Sequence, residues 1–280
     1  MDTVFLWAAR ISALAIAGVL IWIITLVFIQ ALPAIGQFGL GFLFKSTWNP
    51  VRDEYGILTP IYGTIVSSLI ALLISVPIGL GVSIVLSEDY LPTQIQRILV
   101  FLVELLAAIP SVVYGLWGVF VLIPFLREIT PLKGPSMLPA ALILSVMILP
   151  TISAIARDAL INVDIGVRQA AVGLGATRWE TILLVILPAA SSGIIGGIML
   201  ALGRALGETM AVTMLIGNSN QLNVSLFQPS NTISSLLANQ FAEASGLQVS
   251  ALMYAALVLA IITLVVNMLA QIVVTQLQKI

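Results

Sequence analysis

Six long apolar segments constrain the fold of this chain more than any other feature of its sequence. A helix that crosses a bilayer needs about 20 mostly apolar residues, and in lipid it must satisfy its own backbone hydrogen bonds. The segments cover approximately residues 7–32, 60–86, 98–126, 137–156, 183–216 and 250–274. They predict an all-α, polytopic bundle of six transmembrane helices that forms one domain over residues 1–280, with its core at about 60–276.

Composition supports a membrane protein and excludes several other classes. The chain is 60% hydrophobic and 8% charged, whereas soluble domains are about a quarter charged. The first apolar run is longer than the core of a signal peptide, about 7 to 15 residues, so we expect an uncleaved first span. A net charge of -1 gives no basic footprint for nucleic acid.

An enzymatic role finds little support in the sequence. The chain has no cysteine and no histidine, which removes thiolate nucleophiles and the commonest general base. A phosphate-cradling loop needs a second glycine just before its lysine, and the nearest string, which starts at Gly39, has Phe44 before Lys45. We therefore expect no nucleotide site in this chain.

The distribution of lysine and arginine predicts the orientation. An even number of spans puts both termini on one side, and these residues favour the cytosolic side. With cytosolic termini the inner set is Arg10, Arg97, Arg157, Arg168, Arg178 and Lys279, and the outer set is Lys45, Arg52, Arg127 and Lys133. Residues 157–178 carry three arginines and residues 217–249 carry no lysine or arginine, so we expect cytosolic termini.

The polar loop at about 157–188 is the most charged stretch of the chain. Val163, Val167, Ala170 and Leu174 recur at helical spacing and predict a short amphipathic helix. Either Asn162 or Asp164 can cap its start, and Gly173 and Gly175 allow a sharp stop. Such a helix either lies on the lipid surface or fits a groove of a partner protein.

A charged pair lies within the fifth apolar segment. Arg204 is near the middle of the segment, and Glu208, four residues later, is expected to share its helix face. A charge at this depth should face the bundle or a wet pathway. Together with Glu104 the pair is either a structural ion-pair network or a pathway in which Arg204 binds an anion. The three charges sum to minus one, so an anion pathway would need additional positive charge from another subunit.

The segment between the last two spans predicts a further short helix. Asn231 and Thr232 can cap it, and its predicted apolar stripe comprises Ile233, Leu236, Leu237 and Phe241. It either receives a partner or seals the bundle. Separately, Gly193 and Gly197 form a small-residue step suited to close helix contact, within the chain or with another subunit.

The polar loop resembles the EAA loop of the permeases of bacterial ABC importers. The matching residues are Gln169-Ala170-Ala171, Gly175 and Val185-Ile186-Leu187-Pro188, with Gln169 where the family usually has Glu and Val185 where it has Ile. The resemblance implies a type I permease fold and a coupling helix seated in a cytosolic ATPase. The implied coupling residues are Val167, Arg168, Gln169, Ala170, Ala171, Leu174 and Gly175.

A second resemblance narrows the family to the permeases of phosphate importers, of the PstC type. It is carried by the run Gly203-Arg204-Ala205-Leu206-Gly207-Glu208 and by the run from Glu104 to Gly118, and it extends over residues 104–241. It implies Arg204, Glu208 and Glu104 as residues of the substrate pathway in the bacterial inner membrane.

The same resemblance implies the rest of the assembly. The expected partners are a second permease (PstA type), an ATPase dimer (PstB type) that binds ATP and magnesium, a periplasmic or lipid-anchored phosphate-binding protein (PstS type), phosphate and membrane lipid. This chain would need no cofactor of its own. The alternatives are a permease for sulfate or molybdate and a proton-coupled secondary transporter.

Overall fold

The computed structural model describes residues 2–88 and 90–277, with side chains for residues 5–88 and 90–272. Lys279, which the orientation argument counts, lies outside these residues. The α-helices of the described chain are α1 Asp2–Phe38, α2 Gly41–Phe44, α3 Leu58–Ser87, α4 Thr93–Ala108, α5 Ser111–Trp117, α6 Ile123–Ile129, α7 Met137–Ile161, α8 Ile165–Gly173, α9 Arg178–Glu180, α10 Leu187–Gly207, α11 Met210–Leu215, α12 Ile233–Gln240 and α13 Leu247–Leu277. π-Helical turns at Gly118–Leu122 and Thr181–Ile186 join α5 to α6 and α9 to α10, and a 3-10 turn spans Phe241–Glu243.

Within the described residues, six helical stretches are long and apolar enough to cross a membrane, as predicted. They are Phe5–Phe38, Leu58–Ser87, Ser111–Ile129, Met137–Ile161, Arg178–Gly207 and Leu247–Ile272. The described strands are β1 Trp48–Asn49 and β2 Glu54–Tyr55, which pair antiparallel with Trp48 opposite Tyr55. The hairpin follows the first span. The all-α bundle predicted from the sequence is therefore confirmed, with this one small addition.

Helix α7 is the centre of the bundle and packs against α3 and α10. Small side chains on α3 allow close approach: the Ser75 hydroxyl donates to the Ser145 carbonyl at 2.7 Å. A Cβ at Gly79 would lie 2.9 Å from the Ile152 side chain. Close packing of this kind replaces the hydrophobic effect as the source of helix association within lipid.

The small-residue step on α10 also packs within the chain. A Cβ at Gly193 would lie 2.5 Å from the Ala159 Cβ, and one at Gly197 would lie 3.0 Å from Ile155. Both neighbours belong to α7. Of the two alternatives for this step, the structure therefore shows the contact within the chain.

The third span is broken, which corrects the continuous helix predicted for residues 98–126. Helix α4 ends at Ala108 and α5 begins after Pro110. Proline has no N–H and pushes the preceding residue out of helical conformation, and Ile109 is accordingly extended, with ψ 128°. The Tyr114 hydroxyl donates to the Leu106 carbonyl at 2.8 Å, which satisfies an acceptor near the end of α4.

The fifth span is also shorter than the predicted residues 183–216. Helix α10 ends at Gly207, and Glu208 is extended, with ψ 125°. The Glu208 carboxylate accepts from the Ala211 N–H at 3.3 Å at the start of α11. A carboxylate at this position satisfies a donor that has no partner within the helix. Glu208 is thus a capping residue between two helices.

Helix α12 begins as predicted. Thr232 and Ser235 form a capping box, and the Asn231 side chain accepts from the Ser235 hydroxyl. Ile233 and Leu236 are buried, but Phe241 lies beyond the helix and is half exposed, so its place in the apolar stripe was wrong. The buried face of α12 seals the bundle.

Candidate coupling surface and transport pathway

The polar loop folds into a short helix held by its own caps. Asp164, one of the two predicted caps, accepts from the Gly166 N–H at 2.6 Å and starts α8. The chain reverses at Gly175, whose φ of +89° lies in the region that disfavours any residue with a side chain. Thr177 and Glu180 then form a capping box that starts the next helix. The predicted helix and its sharp stop are confirmed.

The predicted coupling residues divide between two faces of α8. Val167, Gln169, Ala170, Leu174 and Gly175 are exposed, with Leu174 90% exposed. Ala171 is 9% exposed, so its assignment to a solvent-facing contact surface was wrong. The reason is the helical period: a residue three positions after Arg168 shares its inward face. The outward face, which includes Ala170 and Leu174, is exposed within the described structure.

Arg168 ties α8 to the rest of the protein. Its guanidinium lies 2.6 Å from the Glu88 carboxylate, at the end of α3, and it also donates to the Leu160 carbonyl near the end of α7. The Arg168 and Glu88 side chains are 21% and 18% exposed. A second contact lies nearby: the ring centroids of Tyr90 and Trp179 are 6.1 Å apart. Arg168 therefore connects the exposed helix to the two central helices of the bundle.

Sequence reasoning missed Glu88. It lies 80 residues from Arg168, and no periodicity or motif in the sequence relates the two positions. The available signal was indirect: with six alternating spans, the loop after the second span lies on the same side as the polar loop. That topology brings the two loops to one side, but only the packed structure pairs these two side chains.

Arg204 lines a hollow of about 700 Å³ between α7, α10 and α13. Its guanidinium reaches the Thr151 hydroxyl at 3.5 Å. Thr151 is ten residues before the end of α7, or about 15 Å at the rise of a helix, which agrees with the central depth expected for Arg204. The lining residues are Thr151, Gly196, Met199, Leu200, Gly203, Arg204, Asn267 and Gln271.

The hollow is rich in donors, and none of the described residues that line it is acidic. Arg204 carries a full positive charge, and Thr151 and Asn267 add polar groups beside it. Within the part of the chain that the structure describes, the Asn267 side-chain oxygen is buried without a hydrogen-bond partner. These groups suit an anion, because a guanidinium binds phosphate-like oxygens through two parallel donors.

The structure does not bring the three predicted pathway residues together. Glu208 lies past the end of α10 and caps α11, so the expected shared face with Arg204 was wrong. Glu104 lines a different hollow, with Arg97 and Arg157. Among the described residues the ion pair within 4.0 Å is that of Arg168 with Glu88. The predicted charge sum of minus one therefore does not apply, since the lining of the Arg204 hollow carries plus one.

Comparison with known proteins agrees with this architecture. Residues 75–279 match the family described as "Binding-protein-dependent transport system inner membrane component". The phosphate transport system permease protein PstC of Mesorhizobium japonicum is 41% identical, over 96% of this chain and 89% of that protein. The PstC of Pasteurella multocida is 40% identical, over 100% of this chain and 93% of that protein.

Solved structures share the fold at low sequence identity. A bacterial alginate ABC transporter in complex with an alginate-loaded periplasmic protein aligns with a TM-score of 0.61 at 19% identity, over 91% of this chain and 95% of that one. An inward-facing MetNI methionine ABC transporter aligns with a TM-score of 0.60 at 18% identity, over 79% and 94%. The chain has the ABC importer type I permease fold, and it belongs to the binding-protein-dependent transport permease family, within which its full-length relatives are phosphate transport system permeases of the PstC type.

Proposed function

We propose that this chain is the membrane permease of an ATP-driven importer that carries inorganic phosphate across the bacterial cytoplasmic membrane. The observation that carries the proposal is the hollow around Arg204, among whose described lining residues none is acidic. The identity of about two-fifths to phosphate permeases over nearly the whole chain supports phosphate as the anion. Arg204 would bind the substrate, and Thr151 and Asn267 would add hydrogen bonds.

The energy source in this proposal is a separate cytosolic ATPase dimer, which binds ATP and magnesium. The exposed face of α8, centred on Ala170 and Leu174, would fit a groove of that subunit. Movement of α8 would pass through Arg168 to the ends of α3 and α7, because the guanidinium contacts both. Re-orientation of these helices would then open the pathway to one side at a time.

The remaining partners follow from the two sides of the bundle. A second homologous permease would complete the wall of the hollow, and a phosphate-binding protein would dock on the side opposite α8. Cytosolic termini follow if α8 meets a cytosolic ATPase, because α1 starts and α13 ends on the side of α8 in a six-span chain. The exposed apolar surface of α1 would contact lipid.

The test is uptake of labelled phosphate by proteoliposomes that contain the whole transporter. We expect Arg204→Gln to abolish ATP-dependent uptake, and the control Arg52→Gln, in the loop before the second span, to leave it unchanged. Competition with sulfate and molybdate identifies the anion. Full uptake by Arg204→Gln would overturn the role of Arg204 in the pathway. Stronger transport of sulfate than of phosphate would overturn the assignment of phosphate as the substrate.

A further inference from the structure

We propose that a second hollow, between α4 and the end of α7, binds a phosphate group at the level of the lipid headgroups. It has a volume of about 290 Å³ and is distinct from the Arg204 hollow. Its lining residues are Thr93, Gln96, Arg97, Val100, Phe101, Glu104 and Arg157. The proposal does not depend on what the protein transports.

The charges of the lining favour an anion. Arg97 and Arg157 contribute two positive charges and Glu104 one negative charge, which leaves a net charge of plus one. Neither arginine lies within 4.0 Å of a described carboxylate. Within the described chain the Arg157 Nε is buried and has no hydrogen-bond partner, an arrangement that costs free energy unless a ligand supplies the acceptor. A singly charged phosphodiester would balance the net charge.

The hollow lies at the depth of the headgroups. Arg97 is four residues after the start of α4, and Arg157 is four residues before the end of α7. At the rise of a helix both are about 6 Å from helix ends on the same side of the bundle. The Gln96 side chain anchors this end of α4, because it donates to the Leu86 carbonyl of α3. Arginine at such a depth reaches the headgroup region through its long side chain.

The outer wall of the hollow is open to lipid. Helix α4 has no buried residue in the described structure, and Phe101 is 61% exposed. An acyl chain can therefore lie along the apolar side of α4 while its phosphate enters between the two arginines. Free inorganic phosphate offers the same chemistry without the acyl chains, so the experiment must separate the two sources.

The experiment uses the assembled transporter in a maltoside detergent, with bound lipid counted by native mass spectrometry. Phosphatidylglycerol is titrated in one arm and inorganic phosphate in the other. We expect the wild type to retain phosphatidylglycerol. The Arg97→Gln/Arg157→Gln double variant should bind this lipid at least about tenfold more weakly, because each charge-assisted bond contributes substantially to binding. The control Arg10→Gln, an exposed arginine on α1, measures non-specific attraction and should retain lipid like the wild type.

Each outcome decides the proposal. Binding of inorganic phosphate that the double variant loses, and that displaces the lipid, supports the site with free phosphate as its ligand. Equal binding of both probes by the wild type and the double variant overturns it, as does no binding by the wild type. Glu104→Gln serves if the double variant fails to assemble: removal of the negative charge should strengthen retention several-fold. Unchanged or weaker retention in that variant would contradict the proposal.

Discussion

The ion pair of Arg168 with Glu88 gives the most quantitative test of coupling. The two side chains are about one-fifth exposed and 2.6 Å apart, so each loses a charge-assisted hydrogen bond when the other is changed. Such a bond contributes about 1.5 to 3 kcal/mol. Arg168→Glu removes it and places two carboxylates together, so we expect a cost of at least about 2 kcal/mol. At 1.4 kcal/mol per factor of ten, the equilibrium constant for correct placement of α8 falls about 30-fold.

The assay is ATP-dependent phosphate uptake in proteoliposomes, with the co-purified ATPase measured in parallel. We expect both single variants, Arg168→Glu and Glu88→Arg, to lower uptake strongly. The double variant restores opposite charges and should recover part of the activity, with a coupling energy of about 1 to 2 kcal/mol. Recovery stays partial because a glutamate cannot donate to the Leu160 carbonyl. Strictly additive losses in the double variant would refute the reasoning.

The other predictions concern three glycines, two of which have a matched control. Gly175→Val must adopt a positive φ, so we expect a cost of at least about 1 kcal/mol and weaker ATPase co-purification, whereas the helical Gly173→Ala should retain the partner. Gly63→Ala brings a Cβ 2.0 Å from the Asn231 carbonyl and should lower the free energy of unfolding by about 1 to 3 kcal/mol in a denaturation assay; Gly81→Ala meets open space and should not. Gly193→Ala should also destabilise the protein, because its Cβ would clash with the Ala159 side chain; an unchanged denaturation transition would contradict that contact.

The sequence predicted what depends on local pattern. Six spans follow from apolar length, and α8 follows from helical spacing with an acidic cap at Asp164 and a glycine at position 175. These features depend on neighbours within a few residues. The same pattern predicted mid-depth for Arg204, which in the structure contacts Thr151, ten residues before the end of α7.

The remaining features depend on which residue lies opposite which. A hydrophobicity pattern continues through Pro110 and Gly207, although the backbone leaves helical conformation at both places. The sequence also gives no sign that Glu104 lines the same hollow as Arg157 or that Arg168 turns inward. Such partners are set by helix rotation and tilt, which depend on packing of the entire bundle. The structure therefore places Arg204 in a donor-lined hollow between three helices, apart from Glu104 and Glu208.

The proposed transport function depends most on Arg204, which would provide the anion pathway of an ATP-driven phosphate permease. The most direct measurement is labelled phosphate uptake by proteoliposomes containing the whole transporter, with ATP on the side of α8, compared between wild type and Arg204→Gln. We expect uptake by the wild type that requires ATP, and uptake at background in Arg204→Gln with normal ATPase co-purification. Wild-type rates in Arg204→Gln, or uptake independent of ATP, would contradict it.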